Sequence, residues 1–406
     1  GTVTIAGGRH ASTFPELCTE SFDAVVVGEP ERAVPALIAD WAQGELGSVY
    51  ERPVQTPAEI RPARYDLIDF SANTFRLPAL EATRGCPFSC GFCVLTGKEK
   101  WRYRPVAEVV AEIRDRLHWN RNLFGLMSDT FVFLDNNLGG SPKYLRELCE
   151  ALVPLRREWG CAVSYNVIQD PELVECMARA GCRYVYTGLE SLSQDALDDM
   201  HKPQNKLEEM GEVLARCYRH GIVVSSGMLV GSDADTNDYL ERLPDLLHDL
   251  DFHAVTFVGI VTPFPGTPWF SRLAQDDRLL PNLGIRDLDG YTLCHRPARL
   301  EPSEVVEHFK NLSRALSSGP RVLSATFRKM GLNPLLGYRS VLTVTGKTVR
   351  NLRAALVNPE RTYIAGHDPI EASDQEYMEH FGLQPQWIDR TLFGPERRPS
   401  LPLAAG

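Results

Sequence analysis

Little in this chain supports a membrane protein, a nucleic-acid binder or a disulfide scaffold. No run of about 18 or more uncharged apolar residues occurs, so no segment reads as a transmembrane helix. No secretory leader is visible, which sets a cytoplasmic location as the expectation. Basic residues are outnumbered: 43 Lys and Arg stand against 53 Asp and Glu, a formal charge of −10. That balance argues against a general nucleic-acid surface. Ten cysteines in 406 residues are too few for a disulfide framework. With 43% hydrophobic and 24% charged residues, the chain is ordinary for a globular protein of two or three domains.

Three of the ten cysteines are unusually placed. Cys86, Cys90 and Cys93 share the run Thr83-Arg84-Gly85-Cys86-Pro87-Phe88-Ser89-Cys90-Gly91-Phe92-Cys93. Thiolates this close in sequence can hold a metal centre without help from the rest of the fold. A structural zinc site asks for a fourth protein ligand. An iron–sulfur cluster is normally tied by four thiolates. Three ligands leave one corner open for chemistry. Gly85 and Gly91 permit the tight backbone such a loop needs. The residues alone leave a zinc loop or three packed thiols open. Cys18, Cys149, Cys161, Cys176, Cys182, Cys217 and Cys294 form no compact motif and read as buried small hydrophobes.

From about residue 78 to 280 the pattern alternates strand and helix, as consecutive βα units on a parallel sheet do. Strands are expected at Leu80–Arg84, Phe131–Asp135, Ala162–Asn166, Tyr184–Gly188, Ile222–Val230 and Ala254–Val261. Val106–Leu117 carries apolar residues at helical spacing. Asp170-Pro171-Glu172 is a helix start. Gly181 and Gly221 sit where helices end before strands. The cysteine loop follows the first strand, at the end where parallel α/β sheets place their sites.

The CxxxCxxC spacing with Phe92 before the last cysteine resembles the signature of the radical S-adenosylmethionine (SAM) superfamily. The resemblance implies a partial (β/α)6 barrel over residues 78–280. It implies a [4Fe-4S] cluster on Cys86, Cys90 and Cys93, with SAM chelating the fourth iron. Thr187-Gly188-Leu189-Glu190-Ser191 is similar to the family's G-x-E-S segment, which implies that Glu190 and Ser191 contact SAM together with Phe92. A helix cap by Ser191 or Ser193 is the plain alternative. Ser225–Gly231 resembles the fifth strand, which puts Val230 and Gly231 near the adenine. The family usually continues Gly-x-Pro-Gly-Glu-Thr, whereas this chain has Gly231-Ser232-Asp233-Ala234-Asp235-Thr236. Pro263-Phe264-Pro265-Gly266-Thr267-Pro268 matches a turn common in cobalamin-linked and methylthiotransferase branches, and also reads as a rigid turn. Asp135-Asn136-Asn137 ends the second strand, facing the site or capping the next helix.

Residues 1–50 open with a strand at Thr2–Ala6, then Gly7-Gly8-Arg9-His10. A second strand at Phe22–Val27 leads to Gly28-Glu29-Pro30-Glu31 and the amphipathic Ala33–Trp41. Strand, Gly-rich loop, strand and helix read as part of a doubly wound domain. The wording resembles the C-terminal end of the cobalamin-binding, Rossmann-like domain of cobalamin-dependent radical SAM enzymes. That implies cofactor contacts from Gly7, Gly8, Gly28 and Glu29. A complete domain of that kind needs further βα units, so a truncated or split domain is expected. His10 is not assigned as a cobalt ligand. Residues 51–77 read as a linker.

Residues 281–406 read as mostly helical, with helices at Pro302–Ser317, Arg321–Met330 and Thr348–Val357, a Pro-rich flexible tail from Arg390, and a role in covering the barrel mouth. Cys294-His295 is not assigned as a metal pair, since it has no partner nearby in sequence.

The resemblance implies a cobalamin-dependent enzyme, foremost a methyltransferase acting on an unactivated carbon of a small metabolite. One SAM would methylate cobalamin and a second would give the 5′-deoxyadenosyl radical. An external flavodoxin- or ferredoxin-like donor would supply electrons. A cobalamin-linked cyclase or oxidoreductase and a non-catalytic metal module are the alternatives. A methylthiotransferase lacks support, because no second three-Cys cluster follows.

Overall fold

The computed structural model describes residues 2–64, 67, 78–96, 100–116, 130–207, 210–250, 255–281, 283, 287–316, 327 and 363–365. Among these, the dominant feature is an open six-stranded parallel sheet. Its strands are β4 (Ala79–Leu80), β7 (Thr130–Phe133), β8 (Glu158–Val163), β9 (Cys182–Thr187), β10 (Val223–Val230) and β11 (Val255–Ile260). Each lies beside its predecessor, in the order β11-β10-β9-β8-β7-β4. This is the six-unit α/β architecture expected from the sequence.

Helices fill the intervals, and their ends follow local chemistry. Asp170 caps Pro171–Arg179, accepting from the Glu172 and Leu173 N–H groups, with Pro171 where no intrahelical donor is needed. Gly181 and Gly221 adopt φ of 95° and 75°, the left-handed turn that closes a helix ahead of β9 and β10. One continuous core joins sheet and helices. Trp159, Phe131, Leu145, Val185 and Leu214 are each within 1% of full burial. Phe133 and Trp159 meet edge to face at 5.5 Å.

Residues 2–51 form a smaller parallel sheet of β1 (Ile5–Ala6), β2 (Ala24–Val27) and β3 (Val49–Glu51), in that order. The helix Pro30–Gln43 crosses from β2 to β3 and ends on Gly44 at φ 78°. β3 runs to Glu51, one residue into the expected linker.

The N-terminal strands expected at Thr2–Ala6 and Phe22–Val27 are shorter, at Ile5–Ala6 and Ala24–Val27, and two strands of the main sheet change more. Leu80–Arg84 is divided: Ala79–Leu80 belongs to the main sheet, and β5 (Thr83–Arg84) pairs antiparallel with β6 (Arg102–Tyr103). The Asp135 carboxylate accepts the Ala82 N–H at 3.1 Å and the Thr83 N–H, so those donors leave the ladder. Ala162–Asn166 is displaced: β8 ends at Val163, and Tyr165–Gln169 is helical. There Asn137 Oδ1 takes the Ser164 N–H at 3.2 Å.

The helix Pro302–Leu316 matches its expected position, burying Val305, Val306, Phe309 and Leu312 against β10, β11 and the helix Asn237–Asp249. The helices expected at 321–330 and 348–357, and the tail from Arg390, lie outside the described residues. No described helix is long and apolar enough to cross a membrane.

Candidate active site

The cysteine loop is closed at its base by the β5–β6 ribbon, with Thr83 opposite Tyr103 and Arg84 opposite Arg102. Gly85 turns the chain out of β5 at φ 83°. Inside the loop, the Cys93 N–H donates to the Cys90 carbonyl at 3.1 Å and Thr96 Oγ1 to the same carbonyl at 2.7 Å. Two distant segments pin Gly91: its N–H donates to the Met200 carbonyl, and its carbonyl accepts from the Trp269 N–H, each at 2.9 Å. Trp269 lies in the helix Pro268–Gln275, capped by Thr267. The Pro263–Pro268 turn therefore launches a helix that braces the cysteine loop.

All three thiols are free. Burial pushes the Cys90 and Cys93 thiols up, while the Lys202 charge acts in the opposite direction on both. Side-chain amides reach two of the sulfurs. Asn137 Nδ2 donates to Cys86 Sγ at 3.7 Å, and Gln204 Nε2 to Cys90 Sγ at 3.4 Å.

Glu190 and Lys202 form the charged part of the site. Glu190 sits at φ 69° after β9, and its carbonyl accepts the Leu229 N–H of β10 at 2.8 Å. Lys202 Nζ donates to Glu190 Oε1 at 2.7 Å and to the Gly188 carbonyl at 2.5 Å. The same ammonium lies 5.9 Å from the centre of the Phe92 ring. A Cβ on Gly188 would come within 2.6 Å of Lys202 Nζ and against Glu190 Oε1, so a side chain there would displace the ends of that pair. Asn205 Nδ2 donates to the Gly188 and Leu189 carbonyls at 2.8 and 2.9 Å. Lys202 thus lies beside both Phe92 and Glu190, and its neighbour Gln204 reaches Cys90.

Ser191 and Ser193 have separate tasks. Ser193 caps the helix Gln194–Asp199. Ser191 Oγ is 1% exposed as a residue and bonds the Tyr239 hydroxyl at 2.8 Å. The altered turn after β10 is held by its own acid. Asp235 Oδ2 accepts the Gly231 and Ser232 N–H groups at 2.8 and 3.1 Å, with Gly231 at φ 92°. Burial raises the Asp235 carboxyl to about 6, against the pull of those two donors. His295 Nε2 meets the Gly231 carbonyl at 2.9 Å. A carbonyl only accepts, so Nε2 carries the proton. Cys294 Sγ instead donates to the Asp287 and Thr292 carbonyls, so the two neighbours do not act as a metal pair.

Asp135 and Asn137 face the cysteine loop and leave the next helix to Ser141, which caps Pro142–Leu152. Burial raises the Asp135 carboxyl to about 7, opposed by the Thr83 and Ala82 donors.

In the N-terminal sheet, Gly8 and Gly28 follow β1 and β2 at φ 92° and 77°. Ser12 Oγ joins them, donating to the Gly8 carbonyl and accepting the Gly28 N–H, both at 2.8 Å. A Cβ on either glycine would meet nothing within 4 Å, and one on Gly7 would rest on Val26 at 3.8 Å. His10 is exposed and packs against Phe14. Glu29 turns toward the cysteine loop. Its carboxylate takes Arg84 Nη1 at 2.9 Å, both Arg102 Nη atoms at 2.8 and 3.0 Å, and the Val54 N–H at 3.1 Å. Burial works against its ionisation, but Arg102 and Arg84 outweigh that and hold the carboxyl below its usual range. Arg84 also pairs with Glu31 and Glu81.

Sequence reasoning missed Lys202, Gln204 and Asn205. Lys202-Pro203-Gln204-Asn205 reads as a polar loop, and its one local signal is a cluster of side-chain amides beside a lysine.

The Radical SAM superfamily model matches residues 80–247. Bacteriochlorophyllide d C-12(1)-methyltransferase of Chlorobaculum tepidum is 30% identical over 343 residues, which cover 82% of this chain and 72% of that protein. An anaerobic magnesium-protoporphyrin IX monomethyl ester cyclase of Rubrivivax gelatinosus is 25% identical over 80% of this chain and 62% of its own length. The fold is similar to that of OxsB, a cobalamin-dependent SAM radical enzyme solved with aqua-cobalamin and SAM, at a TM-score of 0.60 and 15% identity. That match covers 93% of this chain, which spans 62% of the OxsB chain. A six-stranded parallel sheet in sequential order, a three-cysteine loop at the mouth of its first strand and a 30% identical relative lead to one assignment: the chain belongs to the radical SAM superfamily.

Proposed function

We propose that this protein is a cobalamin-dependent radical SAM methyltransferase acting on an unactivated carbon of a small molecule. The observation that carries this reading is the joining of three elements at one place. These are the three-cysteine loop, the Glu190–Lys202 pair, and the Gly8–Gly28 edge tied to the loop by Glu29. The methyltransferase and OxsB relatives supply the reaction class.

The residues present fit the implied groups. A four-iron cluster takes one thiolate per iron, and three free thiols in one loop, two of them reached by side-chain amides, suit it. Thr187 Oγ1, Gln204 Oε1 and Asn205 Oδ1 are buried without a partner around the end of β9. Orphaned polar atoms of this kind fit a polar ligand, since burial without a hydrogen bond costs about 1–3 kcal/mol each.

When bound, the cluster and SAM supply one-electron reductive cleavage of SAM, and cobalamin supplies a methyl carrier. Cys86, Cys90 and Cys93 hold the cluster, and a flavodoxin- or ferredoxin-like protein delivers the electron. Lys202 offers a buried ammonium for a carboxylate, with Glu190 as an acceptor for an ammonium or ribose hydroxyl. The Phe92 ring lies over the Lys202 ammonium, whereas Gly231, with its N–H and carbonyl taken by Asp235 and His295 and Val305 and Ile260 packed against it, leaves an adenine no free backbone group there. Gly7, Gly8 and Gly28 keep the N-terminal edge free of side chains. Glu29 acts through Arg84 and Arg102, orienting the cysteine loop against that edge.

The test is anaerobic reconstitution followed by incubation with SAM and a strong reductant, with and without cobalamin, counting nucleoside products by mass spectrometry. Methylation requires S-adenosylhomocysteine that depends on cobalamin, alongside 5′-deoxyadenosine. The second reading, a cyclase or oxidoreductase, is favoured by the Rubrivivax relative. It requires 5′-deoxyadenosine without S-adenosylhomocysteine. Zinc in place of iron would leave only a metal module.

A further inference from the structure

We propose that the side-chain amides of Asn137 and Gln204 are hydrogen-bond donors that set the reduction potential of the cluster on Cys86, Cys90 and Cys93. This rests on the cluster reading above and goes beyond it. Asn137 lies past the end of β7, 51 residues from Cys86, and Gln204 lies 114 residues from Cys90. Each amide reaches a different sulfur.

The orientation of Asn137 follows from its partners. Its Oδ1 accepts the backbone N–H of Ser164 at 3.2 Å, and that donor has no other role in the strand. An amide turned the other way would set NH2 against N–H, so Nδ2 is the donor, reaching Ser164 Oγ at 3.2 Å with one hydrogen and Cys86 Sγ at 3.7 Å with the other. Asn137 is 2% exposed, and its own carbonyl is held by Trp101 Nε1 at 2.9 Å. The amide is thus fixed on both sides of its side chain. For Gln204, a thiolate sulfur accepts and cannot donate, so only the NH2 group suits the contact at 3.4 Å. The reversed amide would place oxygen lone pairs against a negative sulfur.

Donors to cluster sulfurs withdraw negative charge and favour the reduced state, and such bonds are a main lever on cluster potential. Loss of either donor should make the cluster harder to reduce. At the loop itself, the Gly91, Cys93 and Thr96 donors go to backbone carbonyls, and the Leu95 N–H bonds the third sulfur, Cys93, so Cys86 and Cys90 are the two reached by side-chain amides.

The experiment is a redox titration of the full chain, reconstituted anaerobically and without SAM. Viologen mediators pass one electron to the oxidised cluster, and electron paramagnetic resonance follows the reduced form; no bond is made or broken. Wild type is compared with Asn137→Leu and Gln204→Met, both neutral replacements. The expected result is about four irons per chain in each and a midpoint shifted to more negative potential in both variants. Full iron content with an unchanged or more positive midpoint overturns the proposal. Asn137→Leu also frees the Ser164 N–H and can weaken the fold. Gln204→Met, whose amide holds no other partner among the described residues, then decides alone. Wild type without a four-iron signal overturns the cluster reading itself, which a shift in the variants cannot mimic.

Discussion

Lys202 and Glu190 meet at 2.7 Å with side chains 7% and 11% exposed, so a full ion pair stands inside the molecule at the end of β9. Removing one partner of such a pair strands the other charge, at a cost of about 3–5 kcal/mol. Lys202→Met should lower stability by that order in chemical unfolding of the metal-free protein. Glu190→Gln in the Lys202→Met background should recover part of the loss, because the stranded carboxylate is gone. Equal stability of Lys202→Met and wild type would show that the pair is not formed.

Iron binding should separate the ten cysteines into two groups. Cys90→Ala should lower iron well below about four per chain and abolish SAM cleavage. Cys217→Ala removes a fully buried sulfur from the core behind the sheet. It should cost stability while leaving iron content and its absorbance unchanged. Iron loss in Cys217→Ala would move the metal centre elsewhere.

His295 gives the fold an acid limit. Burial pushes its imidazole down from 6.5 to about 4, with Asp233 and the Gly231 bond opposing and Arg278 and Arg272 assisting. A base whose folded-state pKa is depressed is stabilising above its unfolded value, and that stability is lost as pH falls from about 6.5 through about 4. His295→Gln keeps a donor for the Gly231 carbonyl and does not titrate. Unfolding midpoints measured from pH 7 to 4 should fall more steeply in wild type than in His295→Gln. Parallel curves would remove His295 as the cause.

Glu29 joins the N-terminal sheet to the cysteine loop through Arg84 and Arg102. These side chains are 13–24% exposed, so solvent screens them partly and the network is worth less than a buried one. Glu29→Ala should speed limited proteolysis within residues 1–51 several-fold while iron content holds. Unchanged cleavage would mean that apolar packing alone fixes the sheet.

The three-cysteine loop was legible because it is local. Three thiols within eight residues are close whatever the fold does, and the glycines around them mark a tight turn. The six βα units were legible for the same reason, since short apolar strands and helix caps are written in adjacent residues. What lay beyond reach came from distant chain. The ends of β4 and β8 depend on Asp135 and Asn137 taking backbone N–H groups that local apolarity would leave in a strand. Glu29, read as a cofactor contact, is turned by two arginines 55 and 73 residues away.

The three-thiol loop, the parallel α/β order and the glycine-bare edges can be read along the chain, because each depends on spacing and backbone freedom between near neighbours. Only the tertiary structure decided which side chains surround the thiols. Lys202, Gln204 and Asn205 reach the loop because they lie between the two helices that join β9 to β10, Gln194–Asp199 and Met210–Arg219, and this segment returns over Cys90. A hydrogen bond or ion pair depends on distance in space, and chain separation of 114 residues carries no trace of it.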